Sequence, residues 1–152
     1  MARRLSGIAF ASTFGLVSVF STAASAAGPD LMPIPSELLN EGTVSVRNAG
    51  DAPAGASVAI FKCLKVGHVG SGGGCPPLPP HPEYTDPAFP DQIAVKVPPL
   101  GPNQVYNTQL SFYKAIKWPP GNYEFTLTVD AGNALAETNE NNNTGRVMKV
   151  VP

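Results

Sequence analysis

Tyr123-Glu124-Phe125-Thr126-Leu127-Thr128-Val129-Asp130 decides the class of this chain. Tyr123, Phe125, Leu127 and Val129 point one way and Glu124, Thr126, Thr128 and Asp130 the other, the period of two of a strand with one buried face. Outward from this stretch, the alternation recurs in Thr43–Arg47, in Ile93–Val97 and in Val105–Tyr113, where Tyr106, Thr108, Leu110 and Phe112 share a side. Ser57–Cys63 is more continuously apolar and reads as a more buried strand. Arg146–Val151 closes the chain, and Leu31–Pro35 reads as a short edge strand, where proline costs no ladder bond. Turn chemistry separates the runs: Asn48–Gly55, Pro98-Pro99, Pro102-Asn103 and Trp118–Asn122. No stretch sustains 3.6-residue spacing, and 15 Gly and 17 Pro would interrupt one. Six or seven short strands predict an all-β, two-layer antiparallel sandwich, with a small barrel as the competing closure.

The chain has 152 residues, 14% charged and 43% hydrophobic, with 10 basic against 11 acidic groups. That length holds one domain, or one domain plus a processed segment. Near-zero net charge removes the basic footprint of a nucleic-acid binder. Arg3-Arg4, the apolar run Ile8–Phe20 and the small residues Ala23–Ala27 follow the order of a secretory signal peptide. The predicted segment is 1–26, cleaved after Ala26. Its apolar run is too short, and too broken by Ser12, Thr13, Gly15 and Ser18, for a span of about 20 residues. The expected product is a single domain, 27–152, secreted or periplasmic, with no membrane span after cleavage and a net charge of about −3.

Val129-Asp130-Ala131-Gly132-Asn133-Ala134-Leu135-Ala136-Glu137-Thr138-Asn139-Glu140-Asn141-Asn142-Asn143 resembles the V-D-x-x-N-x-x-x-E-x-N-E-x-N-N signature of CARDB, the cell-adhesion-related domain found in bacteria. Val46-Arg47-Asn48-Ala49-Gly50 resembles that family's V-x-N-x-G, Ala54-Gly55 its small-residue turn, and Pro120-Gly121-Asn122-Tyr123 its P-G-x-Y turn. The resemblance spans about residues 30–151. Two departures stand out. Asn103 takes a place where the family usually has Gly, which Asn tolerates because it also visits φ > 0. Val66–Gln92 is much longer than the family's usual link, so about 66–92 is an insert particular to this chain. The resemblance implies an immunoglobulin-like sandwich on exported proteins, an adhesion or interaction module without catalysis; it does not by itself assign a ligand, and the expected partner is an unknown protein or surface glycan.

Asp130, Asn133, Glu137, Asn139 and Glu140 gather hard oxygen atoms in one loop, which makes a calcium site a candidate. The competing reading is structural: Asp and Asn side chains bond nearby backbone N–H groups and close turns. Asn142-Asn143-Thr144 meets a glycosylation sequon, read as chance in a chain that looks bacterial.

Cys63 and Cys75 are the only cysteines. On the exported side a disulfide is the default, worth about 3 kcal/mol on the chain-entropy model. The alternative is a zinc site from Cys63, His68, Cys75 and His81, whose spacing lacks the usual C-x₂₋₄-C and H-x₃₋₅-H pairs. Pro76-Pro77-Leu78-Pro79-Pro80-His81-Pro82 reads as extended polyproline. With Tyr84 and Phe89 it offers a candidate partner contact, centred on Pro77, Pro79 and Pro80. A peripheral insert could be deleted without loss of the fold.

No G-x-S-x-G elbow or S-x-x-K motif is present, and His68 and His81 both lie in the insert. Glu137 and Glu140 are the one carboxylate pair to weigh for glycoside hydrolysis. Phe112, Tyr113, Trp118 and Tyr123 could stack on sugars or fill the core. The sequence thus points to a non-catalytic exported interaction module without a required cofactor, with a calcium- or glycan-binding module as the alternative.

Overall fold

The computed structural model describes residues 27–69, 74–79 and 81–152, so the expected signal segment lies outside the described residues. The strands are β1 (Leu31–Pro33), β2 (Thr43–Asn48), β3 (Ser57–Lys65), β4 (Ile93–Val97), β5 (Val105–Gln109), β6 (Gly121–Thr128) and β7 (Thr144–Val151). They form two antiparallel sheets, ordered β1-β2-β5 and β4-β3-β6-β7. The closure is therefore an immunoglobulin-like sandwich, not a barrel. The helical pieces among the described residues are single turns, such as α1 (Leu38–Glu41).

The alternation in β6 becomes the inner face of its sheet. Tyr123, Phe125 and Leu127 are fully buried, and Val129 continues the row. Phe61 and Val95 from β3 and β4 join them, against Leu31, Val44 and Val46 from the facing sheet. Fully burying such a side chain contributes roughly 1.5–3 kcal/mol. Phe112, Tyr113 and Trp118 complete this interior, with the Trp118 ring 5.1 Å from Tyr123 and 5.3 Å from Phe125. The four aromatics weighed as a sugar platform are thus packed together, three of them buried and Trp118 half-buried.

Several element ends differ from the sequence reading. β3 continues past Cys63 to Lys65, because β6 pairs with it as far as Lys65↔Tyr123. β5 stops at Gln109, and Leu110 and Phe112 leave the ladder to enter the core through a turn at Tyr113–Ala115. β7 starts at Thr144, two residues early, paired with Thr128. Asp130, expected on the outer side, is buried at φ 42. Asn103 adopts φ 61, the left-handed conformation that its place in the turn requires.

The insert is not peripheral. A one-turn segment at Pro82–Tyr84 carries Tyr84 into the core, where its ring lies 5.7 Å from Phe112. The Tyr84 hydroxyl donates to the Gln109 carbonyl at 2.9 Å and accepts the Ser111 N–H at 3.0 Å, which ties the insert to the end of β5. Tyr84 is therefore withdrawn from the surface contacts expected of it, and deleting 66–92 would open the interior.

Tyr113 is the contrasting case: its hydroxyl is buried without a partner, and burial pushes the phenol up to about 12. Tyr84→Phe is expected to lower stability by about 1–2 kcal/mol, and Tyr113→Phe to be neutral or stabilising, since it removes an unpaired buried group. Urea unfolding of the two variants checks this, and absorbance titration should find the phenol near 12 only while Tyr113 is present.

Candidate functional site

The residues singled out in the sequence fall into two places: the 130–143 loop at one end of the sandwich, and the insert beside β3 and β4. At the first, the chain leaving β6 reverses through Asp130 and Asn133, both in the left-handed region. The Asp130 carboxylate accepts the N–H groups of Ala134 at 3.2 Å and Leu135 at 3.0 Å. Asn139 accepts the Asn141 N–H at 3.1 Å, and Glu140 accepts the Glu137 N–H at 2.8 Å.

Glu137 reaches across to the other sheet. Its Oε1 accepts the Leu31 N–H at 2.6 Å, and its Oε2 accepts the Asn143 side-chain amide, also at 2.6 Å. Beside it, the Asn142 amide donates to the Asp30 carboxylate at 2.8 Å, and the Thr138 N–H donates to the Pro29 carbonyl at 2.9 Å. The 130–143 loop therefore holds residues 29–31 from one side.

Asn48 holds them from the other, and the sequence reading saw it only as the start of a turn. It is fully buried; its Oδ1 accepts the N–H groups of Asp30 at 3.1 Å and Gly50 at 3.0 Å. Its Nδ2 lies within 2.9 Å of the Ala52 carbonyl, 3.0 Å of Leu100 and 3.2 Å of Gly101. Gly50 is glycine because a Cβ there would collide with the Gly28 carbonyl. The one available signal was the V-x-N-x-G run, whose polar member stands where the alternation calls for an inward residue.

Asp130, Asn133, Glu137, Asn139 and Glu140 thus sit in one loop, and the four that carry bonds direct their oxygens at N–H groups of this chain. Among the described residues, no group of three or more His, Cys, Asp and Glu side chains is arranged to hold a metal. The four weighed for zinc are also divided. His81 Nδ1 lies 2.7 Å from the Pro79 carbonyl oxygen, its ring 5.1 Å from Phe112, while Cys63 and Cys75 come together with Cα atoms 6.1 Å apart and sulfurs within bonding distance.

Burial pushes the Glu137 carboxyl above its ordinary value, with the negative charges of Asp130 and Glu140 adding to the effect; the Leu31 N–H and the Asn143 amide pull the other way. A raised value means that the folded chain holds this proton more tightly than the unfolded one. The group's contribution is full below the ordinary glutamate value and is lost as pH rises through the raised one. Glu137→Ala, which strands the Leu31 N–H, is expected to cost about 1–3 kcal/mol. Glu137→Gln should cost under about 1 kcal/mol, because an Asn143 flip presents its unpartnered Oδ1 to the new amide. It should also abolish the group's part of the fall in stability above the ordinary glutamate value, measured by urea unfolding from pH 4 upward.

At the second place, Cys75–Leu78 runs past the end of β4 and leaves an open cleft of about 490 Å³ against Phe61, Lys62, Cys63 and Ile93. Pro77 is exposed, Pro79 is half-buried, and Pro80 lies outside the described residues. Phe89 is half-buried and shares a smaller cavity with Ile60, Gln92 and Thr128.

The CARDB family model matches residues 84–146, which take in β4 to β6, the acidic-amide loop and the first residues of β7. Residues 84–146 belong to the CARDB family. Of the residues in the signature-like run 129–143, Asp130, Glu137, Asn139, Glu140, Asn142 and Asn143 make the side-chain bonds described above. Two solved structures are similar. One is a solution NMR structure of the 272–376 domain of a candidate cell surface protein from Methanosarcina acetivorans, 19% identical, TM-score 0.51, covering 82% of this chain and 92% of that one. The other is the crystal structure of the CARDB domain of a Pyrococcus furiosus protein in complex with di-metal ions, 18% identical, TM-score 0.45, covering 84% and 97%. The first likeness is one of fold. No curated protein matches the chain.

Proposed function

We propose that the mature chain, 27–152, is a non-catalytic exported module that binds a protein on a cell surface through the insert side of the sandwich. One observation carries the reading. The Asp130, Glu137 and Glu140 carboxylates are engaged in holding the fold, whereas one wall of the cleft beside Pro77 is formed by chain that the family pattern lacks. Glu137 and Glu140, the pair weighed for hydrolysis, illustrate this: Glu137 uses both oxygens on donors of this chain, and Glu140 binds the Glu137 N–H. A general acid or nucleophile needs its carboxyl free to meet substrate. The Cys63–Cys75 pair fits an oxidising compartment and fixes the start of the proline stretch.

The alternative, a calcium module, has one observation in its favour: the Asn142 and Asn143 side-chain oxygens are buried and accept no hydrogen bond. Calcium takes six to eight oxygens, and Asp130 and Glu137 already spend theirs on N–H donors. The melting temperature is therefore expected to be the same in millimolar calcium and in EGTA; a rise with calcium would favour the ion.

Binding of labelled mature chain to the cells that produce it tests the main reading. Wild type should bind saturably, and a Pro77→Ser/Pro79→Ser variant should lose most of that binding at an unchanged melting temperature. Binding that survives the variant and is removed by free oligosaccharide would move the assignment to a glycan module.

A further inference from the structure

β3 and β4 part company midway. Their pairing ends at Phe61↔Ile93, whereas β3 stays paired with β6 to Lys65↔Tyr123. The Val66 N–H donates to the Asn122 carbonyl, and the Val58 carbonyl accepts the Ala131 N–H, so even-numbered residues of β3 turn their backbone groups toward β6. Odd-numbered residues turn theirs the other way. At Cys63 and Lys65 no strand among the described residues lies on that other side. The Lys65 carbonyl is taken by the His68 N–H at 3.2 Å; among the described residues no hydrogen bond reaches the Cys63 N–H and C=O, at the cleft, or the Lys65 N–H, just beyond its lining.

The opposite wall makes no backbone hydrogen bond to this edge among the described residues. It is Cys75-Pro76-Pro77-Leu78, and its two prolines have no N–H to offer the Cys63 carbonyl. The paired cysteines hold this wall beside β3. Phe61, Ile93 and Leu78 make an apolar floor, and Lys62 and Asp91 set opposite charges at the rim.

We propose that this slot binds an extended peptide segment of the partner as an added strand beside Lys62–Lys65. The inference rests on the surface-module reading and names what that module recognises. Four edge residues span about 13 Å, so the slot reads about four residues of the segment. Its backbone meets Cys63 and Lys65, one apolar side chain enters the floor, an acidic residue lies toward Lys62 and a basic one toward Asp91. Backbone bonds supply affinity and the floor and rim supply selectivity.

The test uses the oxidised mature chain and a phage-displayed random hexapeptide library as probe. Enriched peptides should alternate apolar residues with an acidic one. When synthesised and titrated, one of them should shift the Cys63 and Lys65 amide signals and slow their hydrogen exchange. Pro77→Trp, which fills the mouth, should weaken binding by about tenfold or more, the equivalent of one or two backbone bonds lost. If that variant does not fold, Lys62→Glu serves, with selection against acidic peptides expected. No enrichment over a control protein, enriched peptides that move signals in the 130–143 loop instead, or a second copy of the chain occupying the same edge would overturn the slot. A chain that fails here yet still binds cells through the insert keeps the surface-module reading and loses only this one.

Discussion

The fold depends on how residues 28–31 are held. β1 has three residues, ends in proline and pairs with one neighbour only. Fixing each residue costs about 1–2 kcal/mol of backbone entropy, against roughly 1 kcal/mol per net hydrogen bond. So short a ladder would fray without further partners. Asn48 and Glu137 supply them from opposite sides, binding the consecutive N–H groups of Asp30 and Leu31. The same two side chains link the first sheet to the 130–143 loop and to the turn after Leu100. One end of the sandwich is thereby closed with polar side chains where layers of apolar residues run out.

This explains why the loop looked like an ion site in the sequence. Carboxylates and amide oxygens suit calcium and backbone N–H groups equally well, and one-dimensional spacing does not distinguish them. The distinction lies in what the loop faces. Glu137 points at an N–H 106 residues away, a partner no local pattern could have named. With that geometry the Asp130 and Glu137 oxygens hold N–H groups of this chain and fasten one end of the sandwich.

The sandwich itself was legible, because Tyr123–Val129 and its counterparts repeat a period that only a pleated, one-sided strand satisfies. The departures arose where alternation carries on past the ladder. Leu110 and Phe112 keep the phase of β5 yet belong to a turn, since their burial is supplied by the core and not by a neighbouring strand. Asp130 keeps the phase of β6 but is turned inward by its own bonds to Ala134 and Leu135. The insert was misjudged for a similar reason. Its proline content signalled an extended surface chain, and for Pro77 that holds, but Tyr84 has a phenol ring that fills the interior and a hydroxyl that finds both a donor and an acceptor there. The cleft was not legible at all, since it exists because β4 begins four residues short of the end of β3.

The most direct test of this account is equilibrium urea unfolding of Asn48→Ala, with amide exchange followed in the same variant. The substitution strands the N–H groups of Asp30 and Gly50 and the carbonyls facing Nδ2. The account predicts a loss of about 3 kcal/mol or more, with exchange at Asp30 and Leu31 accelerated well beyond that at Phe125. A loss under about 1 kcal/mol, or protection at Leu31 unchanged, would contradict it, because residues 28–31 would then be held by something other than the clamp.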